Sequence, residues 1–303
     1  MSAYGTGGDA VFGGQNPEIA PGYTETRFPN PNITWETSEM FNIGIDASFF
    51  NGKLNLEADW FYKKTNDILR ERTDMPAILG YKLPAANVGK VDNRGIDLNI
   101  THRNHLRDFN YSIAGNLTWA RNKVIDLLEP AGEKNNPRQR STGHSMSQYF
   151  GYEALGLFQS DEEANNWPQP QFGKAKAGDI KYKDQNGDGI IDAEDEIAIG
   201  RSNYPELVYG LNLNAEWKGF DITFFFQGAA LADFYYNGYL AFPYIEGRGG
   251  ALLEHHIGNT WTPENPKAEF PRLYYGGNAN NQLFSSFWMR NGSYLRLKNV
   301  EIG

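Results

Sequence analysis

Cysteine is absent from the 303 residues, which excludes a disulfide framework and thiolate metal sites but leaves the redox compartment open, since many exported proteins carry none. No run approaches 18 consecutive apolar residues, so a transmembrane helix is excluded; transmembrane strands are not. Basic residues are the minority, 28 Lys and Arg against 37 Asp and Glu for a net charge of −9. With no basic field to draw phosphates, a nucleic-acid partner is excluded. Convincing helical periodicity is scarce. There is no G-x-S-x-G, no P-loop and no G-x-G-x-x-G set between strand and helix, so the chain is expected not to be an enzyme. Scattered carboxylates such as Glu57, Asp59, Asp97 and Glu216 fall on polar strand faces. His102 and His105 read as part of a short polar connection without a carboxylate at ligand spacing, and His255-His256 is no better a metal pair.

What is present is a period of two. Phe41, Ile43, Ile45, Ala47 and Phe49 alternate with Asn42, Gly44, Asp46 and Ser48, the pattern of a strand with one apolar and one polar face. Asn51-Gly52 suits a two-residue type I′ hairpin, after which Leu54, Leu56, Ala58, Trp60 and Tyr62 continue the alternation. The same reading recurs at Ile96, Leu98 and Ile100, and at Tyr111, Ile113, Leu117 and Trp119. Leu211, Leu213, Ala215 and Trp217 turn through Lys218-Gly219 into Phe220, Ile222, Phe224 and Phe226, and SYLRLKNVEIG makes a seventh strand with a phase shift between Leu297 and Val300.

On alternation alone these strands suit a soluble β-sandwich as well as a barrel. The connections separate the two: a tight turn, about 20 residues, about 6, about 85, a tight turn, about 60. An outer-membrane barrel has this short–long rhythm, with tight turns on one side of the membrane and long loops on the other. Aromatics gather at the strand ends, at Phe49, Phe50, Trp60, Phe61, Tyr62, Trp119, Trp217 and Phe220, where interfacial girdles would lie. Seven strands cannot close a barrel without leaving an unpaired edge in lipid. The expectation is therefore all-β, an antiparallel transmembrane barrel portion spanning residues 1–303, with a long extracellular loop at 123–206.

Six segments carry a resemblance: NPNITWETSEMFNIGID, DWFYKKTNDIL, NVGKVDNRGIDL, GDIKYKDQNGDGIIDAEDEIAIG, YPELVYGLNLNAEWKGFDITFFFQG and WMRNGSYLRLKNVEIG. In that order they resemble the C-terminal half of SusC/RagA-type TonB-dependent transporters. The resemblance implies a 22-stranded barrel in the outer membrane of a Gram-negative, Bacteroidetes-like cell. It implies import of oligosaccharides or peptides with a SusD-like lipoprotein, powered by TonB with ExbB and ExbD. The N-terminus MSAYGTGGDA has neither a basic n-region nor an apolar h-region. Signal peptide, TonB box, plug and final strands are thus expected to lie outside this chain.

One motif belongs to no strand. DQNGDGIIDAED, 184–195, has calcium-loop spacing: Asp184, Asn186, Asp188 and Asp195 as side-chain ligands, Ile190 through its carbonyl, Asp192 directly or through water, and Gly189 at the sharp turn. Two carboxylates about 5 Å apart repel by roughly 3 kcal/mol at an effective dielectric of ~20, so a compact loop would want a cation, and oxygen-only ligands point to Ca2+. Asp in twelfth place resembles a dockerin-type loop. The alternative is a pair of Asn-Gly/Asp-Gly turns with solvated charges. Weak structural bracing by Ca2+ of a long loop is the expectation. Trp167, Tyr235, Tyr236, Tyr239, Phe242 and Tyr244 in the long loops are candidates for stacking on a sugar or a partner, or for filling the loop's own core. A secreted, calcium-braced β-sandwich that binds glycans stands as the competing function.

Overall fold

The structure is a computed structural model that describes residues 30–71, 84–129, 141–244 and 251–303, together with Gly22 and the backbone of four N-terminal strands. Those four form two small hairpin pairs, Ala3–Thr6 with Tyr23–Arg27 and Ala10–Phe12 with Glu18–Ala20. The main element is one antiparallel sheet of seven strands in strict sequence order. They are β1 Thr37–Phe49, β2 Leu54–Arg70, β3 Ala86–Leu106, β4 Phe109–Asp126, β5 Leu207–Trp217, β6 Phe220–Ala230 and β7 Tyr294–Ile302. All seven expected strands are present and in phase.

Several expectations need correction. The first connection is a four-residue loop, 50–53, with positive φ at Phe50, Asn51 and Gly52, rather than a two-residue turn. The third is only Arg107-Asp108, because Leu106 pairs with Phe109. His102 and His105 consequently lie on β3, opposite Ile113 and Asn110, and not in a connection. Lys218-Gly219, with φ of 48° and 85°, closes β5–β6 as a two-residue turn that needs positive φ at both positions. β4 runs on to Asp126, so the longest connection is 127–206, starting four residues later than 123.

Register places the two faces. One row runs Ile43–Trp60–Ile96–Trp119–Leu207, and the next parallel rows are Ile45–Ala58–Leu98–Leu117–Tyr209 and Ala47–Leu56–Ile100–Gly115–Leu211. This apolar face is not covered: Ile43 is 59% exposed and Ile45 65%. Among the described residues no second sheet packs on it, whereas a sandwich would bury these side chains in its core.

The apolar band is slanted. It ends at Phe49 on β1, whose row passes through Leu54, His102 and Ile113 to Leu213 on β5, where it continues four residues further to Trp217. Four residues are ~13 Å along a strand and four strand steps are ~19 Å across the sheet, a slope of about 35°. That is the strand tilt of a membrane barrel, about 35–45°. From Phe109 to Trp119 on β4 is ~33 Å along the strand, hence ~25 Å along the normal at a tilt of ~40°, the height of a lipid-facing band.

Candidate functional site

The opposite face of the sheet is a polar wall. Rows Gly44–Asp59–Asp97–Thr118 and Asp46–Glu57–Asn99–Asn116–Gly210–Gln227–Arg296 run across it. Thr118 Oγ1 donates to Asp97 at 2.6 Å, Asn99 Nδ2 to Glu57 at 3.3 Å and Thr223 Oγ1 to Asn214 at 2.8 Å. Gly44 leaves room for the Asp59 carboxylate, which a Cβ at that position would meet at 2.4 Å and push aside. A surface of hydrogen-bonded carboxylates, amides and hydroxyls suits a wet lumen.

Above one end of the wall the described parts of the two long connections, 127–206 and 231–293, pack against each other. Tyr152, Leu157, Ile180, Tyr182 and Ile191 from the first share a core with Ala241, Trp261, Phe270 and Trp288 from the second. Short strands stitch each connection: Ala154–Leu157 with Ile180–Tyr182, Tyr149–Gly151 with Ile197–Ile199, and Asp233–Tyr235 with Met289–Asn291. Among the described residues the one α-helix, α1 Asp161–Asn166, is capped by Ser160, which accepts from Glu163 N–H at 3.1 Å. The Glu163 carboxylate accepts from Gln159 N–H and from Lys181 at 2.7 Å each, and these bonds hold its pKa below the usual carboxylate range. These loops hold their shape by a hydrophobic core, so their length does not by itself call for a metal brace.

Asp179 is the hub of this module, and sequence reasoning missed it. Its carboxylate is fully buried and accepts from Arg272 Nε at 2.8 Å and Nη2 at 3.2 Å, from Asn278 and Asn281 at 2.9 Å each, and from Lys176 N–H at 2.8 Å. Every side-chain donor comes from the second connection. Beside it Gly178, at φ +80°, lies so close to Trp261 that a Cβ would meet the indole at 2.3 Å. The local signal was a glycine–aspartate step into the alternation Ile180-Lys181-Tyr182; the partners, some 93 residues away, left none.

The 184–195 loop is a run of side-chain-to-backbone turns. Asp184 accepts from Gly187 and Gly189 N–H at 2.6 and 2.8 Å, Asn186 from Asp188 N–H at 3.1 Å and Asp188 from Ile190 N–H at 2.8 Å. Asp192 caps the 3-10 turn Ala193–Asp195 through Glu194 N–H, and the buried Asp195 accepts from Gln185 and Asp192 N–H at 2.7 and 2.9 Å. Among the described residues no three His, Asp or Glu side chains are gathered as a metal would gather them. Each carboxylate oxygen carries more than one lone pair, so these bonds leave coordination capacity on the same atoms.

The six candidate aromatics separate by position. Tyr235, Tyr236 and Phe242 pack against the shared core, with the Phe242 and Trp288 ring centroids 4.9 Å apart. Trp167 packs on Phe158 and donates Nε1–H to Tyr182 O at 2.8 Å. Tyr239 is exposed, and Tyr244 lies 6.2 Å from the exposed ring of Tyr275. His256 is buried: Nδ1 accepts from Leu253 N–H and Nε2 donates to Leu240 O, an arrangement for neutral imidazole. Burial, then the neighbouring His255, pushes its pKa down, the Leu240 carbonyl opposing.

Comparison with known proteins bears on this architecture. The family model described as TonB dependent receptor-like, beta-barrel, matches residues 2–193. A TonB-dependent receptor of Formosa agariphila is 33% identical over 294 residues, covering 93% of this chain and 29% of that protein. The TonB-dependent receptor SusC of Bacteroides thetaiotaomicron is 24% identical over 284 residues, 90% of this chain and 26% of SusC. The solved RagAB peptide transporter superposes with a TM-score of 0.72 at 22% identity, over 100% of this chain and 32% of its own. The chain spans under a third of the length of the curated relatives it matches.

Proposed function

This chain belongs to the TonB-dependent receptor β-barrel family, and from that premise we propose that it forms part of the wall and extracellular loops of a SusC/RagA-type importer in the outer membrane of a Gram-negative, Bacteroidetes-like cell. The two-faced, slanted sheet carries this reading: one face apolar over the height of a bilayer, the other hydrogen-bonded and polar. Substrate moves past the polar wall, and the loop module meets a SusD-like lipoprotein. TonB with ExbB and ExbD supplies energy through parts of the protein outside this chain. Substrates are oligosaccharides or peptides; catalysis has no part in the proposal.

Deleting the gene in its host and measuring uptake of fluorescent oligosaccharide and peptide panels tests this. Loss of uptake of one class, restored by the gene only in a TonB-competent strain, supports it. Unchanged uptake, or restoration without TonB, overturns it.

Calcium belongs to the same proposal. Asp184, Asn186, Asp188, Asp192 and Asp195 with the Ile190 carbonyl would hold it at about 10⁻⁴–10⁻³ M, stiffening a loop that already has its turns. Titration with Ca2+ should protect 184–195 from proteolysis, and Asp184→Ala should remove that protection; protection indifferent to Ca2+ ends this part.

A further inference from the structure

Four Asn-Gly steps occur in the chain: Asn51-Gly52, Asn186-Gly187, Asn237-Gly238 and Asn291-Gly292. At such a step the glycine nitrogen can reach the amide carbon of the preceding side chain, because glycine has no Cβ to obstruct the approach. The reaction needs an unbonded amide and an unbonded glycine N–H, and the structure separates the four steps on that ground.

Two steps are pinned. Gly187 N–H donates to Asp184 at 2.6 Å, while the Asn186 amide accepts from Asp188 N–H at 3.1 Å and donates to Asp188 and Glu194 at 3.1 and 3.4 Å. Gly292 N–H donates to Ala232 O at 2.8 Å, and Asn291 Oδ1 accepts from Ser293 N–H at 2.8 Å. Among the described residues the side chains of Asn51 and Asn237 and the N–H groups of Gly52 and Gly238 have no hydrogen-bond partner. Asn237 is exposed and extended, at φ −144° and ψ −176°, and a Cβ on Gly238 would meet nothing within 4 Å. From there a partial rotation about ψ brings the Gly238 nitrogen onto Cγ. Asn51 is left-handed at φ 55°, where ψ is about +47°, and needs a rotation close to half a turn.

We propose that Asn237 is a site of spontaneous hydrolytic deamidation. The Gly238 nitrogen bonds to Cγ of Asn237, and Nδ2 leaves as ammonia with the glycine's proton. Water then opens the cyclic imide at one carbonyl to aspartate or at the other to isoaspartate. Isoaspartate routes the chain through the side chain and adds one carbon to the main chain between Tyr236 and Gly238. The 3-10 turn Gly238–Leu240 follows directly, and its Leu240 carbonyl lies 2.8 Å from the Tyr236 hydroxyl, 2.8 Å from His255 Nε2 and 3.0 Å from His256 Nε2. Displacing that shared acceptor loosens this corner of the loop module, so the step acts as a slow chemical clock on the module. Nothing in it depends on the membrane orientation.

The test ages the whole outer-membrane protein that carries this segment, folded in neutral detergent at mildly alkaline pH. Peptide mass mapping reads conversion of amide to acid at each step, and isoaspartyl methyltransferase labelling reads the rearranged product. Asn237 should convert first, roughly tenfold or more ahead of Asn186 and Asn291, the factor for one hydrogen bond that must first break. In denaturant all four steps should react at similar rates. First conversion at any other step of the folded protein, or folded rates that do not differ among the steps, overturns the assignment. In the isoaspartate fraction, hydrogen exchange at Ala241, Phe242 and His256 should lose roughly tenfold in protection. Asn237→Asp, which adds the charge without the extra carbon, should keep it. Unchanged exchange in the isoaspartate fraction, or an equal loss in Asn237→Asp, overturns the clock.

Discussion

Replacing Asp179 by alanine removes a fully buried carboxylate that ties the two long connections together. Five donors lose their acceptor: Arg272 Nε and Nη2, Asn278, Asn281 and the Lys176 N–H. Breaking a buried ion pair by deleting one partner costs about 3–5 kcal/mol, because the remaining charge is left without compensation. Arg272 keeps 22% of its side chain exposed and can recover part of its hydration, so the lower end, about 3 kcal/mol, is expected. At 1.36 kcal/mol per decade this is roughly a 150-fold rise in the open population of the module. Hydrogen exchange read at Ile180, Tyr182 and Trp288 should show protection falling by that factor. The strands β1–β4, which share no contact with the pair, should keep theirs. Protection at Ile180 and Tyr182 unchanged within threefold would refute the claim that Asp179 couples the connections.

Three further outcomes follow from the same geometry. Gly178→Ala needs a Cβ 2.3 Å from Trp261 at φ +80°, so the module should lose on the order of 2 kcal/mol or more and show new proteolytic sites near residue 178. Acid should loosen the module before the sheet. Hydrogen bonds from Gln159 and Lys181 depress the Glu163 pKa, and those from Gln185 and Lys183 depress that of Glu153. A depressed carboxylate contributes stability above its unfolded pKa and loses it as pH falls through the folded value. His256, held neutral, adds to the loss below the usual histidine range. Loop tryptophan fluorescence from pH 7 to 3 checks this, and a transition on raising the pH through the same range would contradict the sign. Leu211→Arg, near mid-band on the apolar face, should cost about 2–4 kcal/mol in refolding into bilayers, while Asn212→Arg on the polar face should cost under ~1 kcal/mol.

How much of this was legible in the sequence depends on the range of the forces involved. Alternation is local, so the phase of all seven strands could be read from Phe41–Phe49 or Leu211–Trp217 alone. Strand length could not. Beyond the aromatic edge both faces meet water, and β2 through Lys63–Asn66, β3 through Lys90–Arg94 and β4 through Arg121–Lys123 lose their alternation while the ladder continues. The turn at Arg107-Asp108 was obscured likewise, because the polar residues His102–His105 lie within a paired strand. The acidic loop was visible because its bonds join residues two to ten apart. The Asp179 cluster joins residues 93 to 102 apart, and four of the six aromatics singled out pack within the module, a role that depends on partners far away in sequence.

The central claim is that the sheet's apolar face meets lipid and its polar face does not. Tryptophan placed singly at Ile113 or at Ser112, adjacent residues on β4 facing opposite ways, can be read by quenching with lipids brominated deep in their acyl chains. The account predicts strong quenching of Ile113→Trp and little of Ser112→Trp in the reconstituted outer-membrane protein. Equal quenching at both sites, or quenching at Ser112→Trp alone, would contradict it.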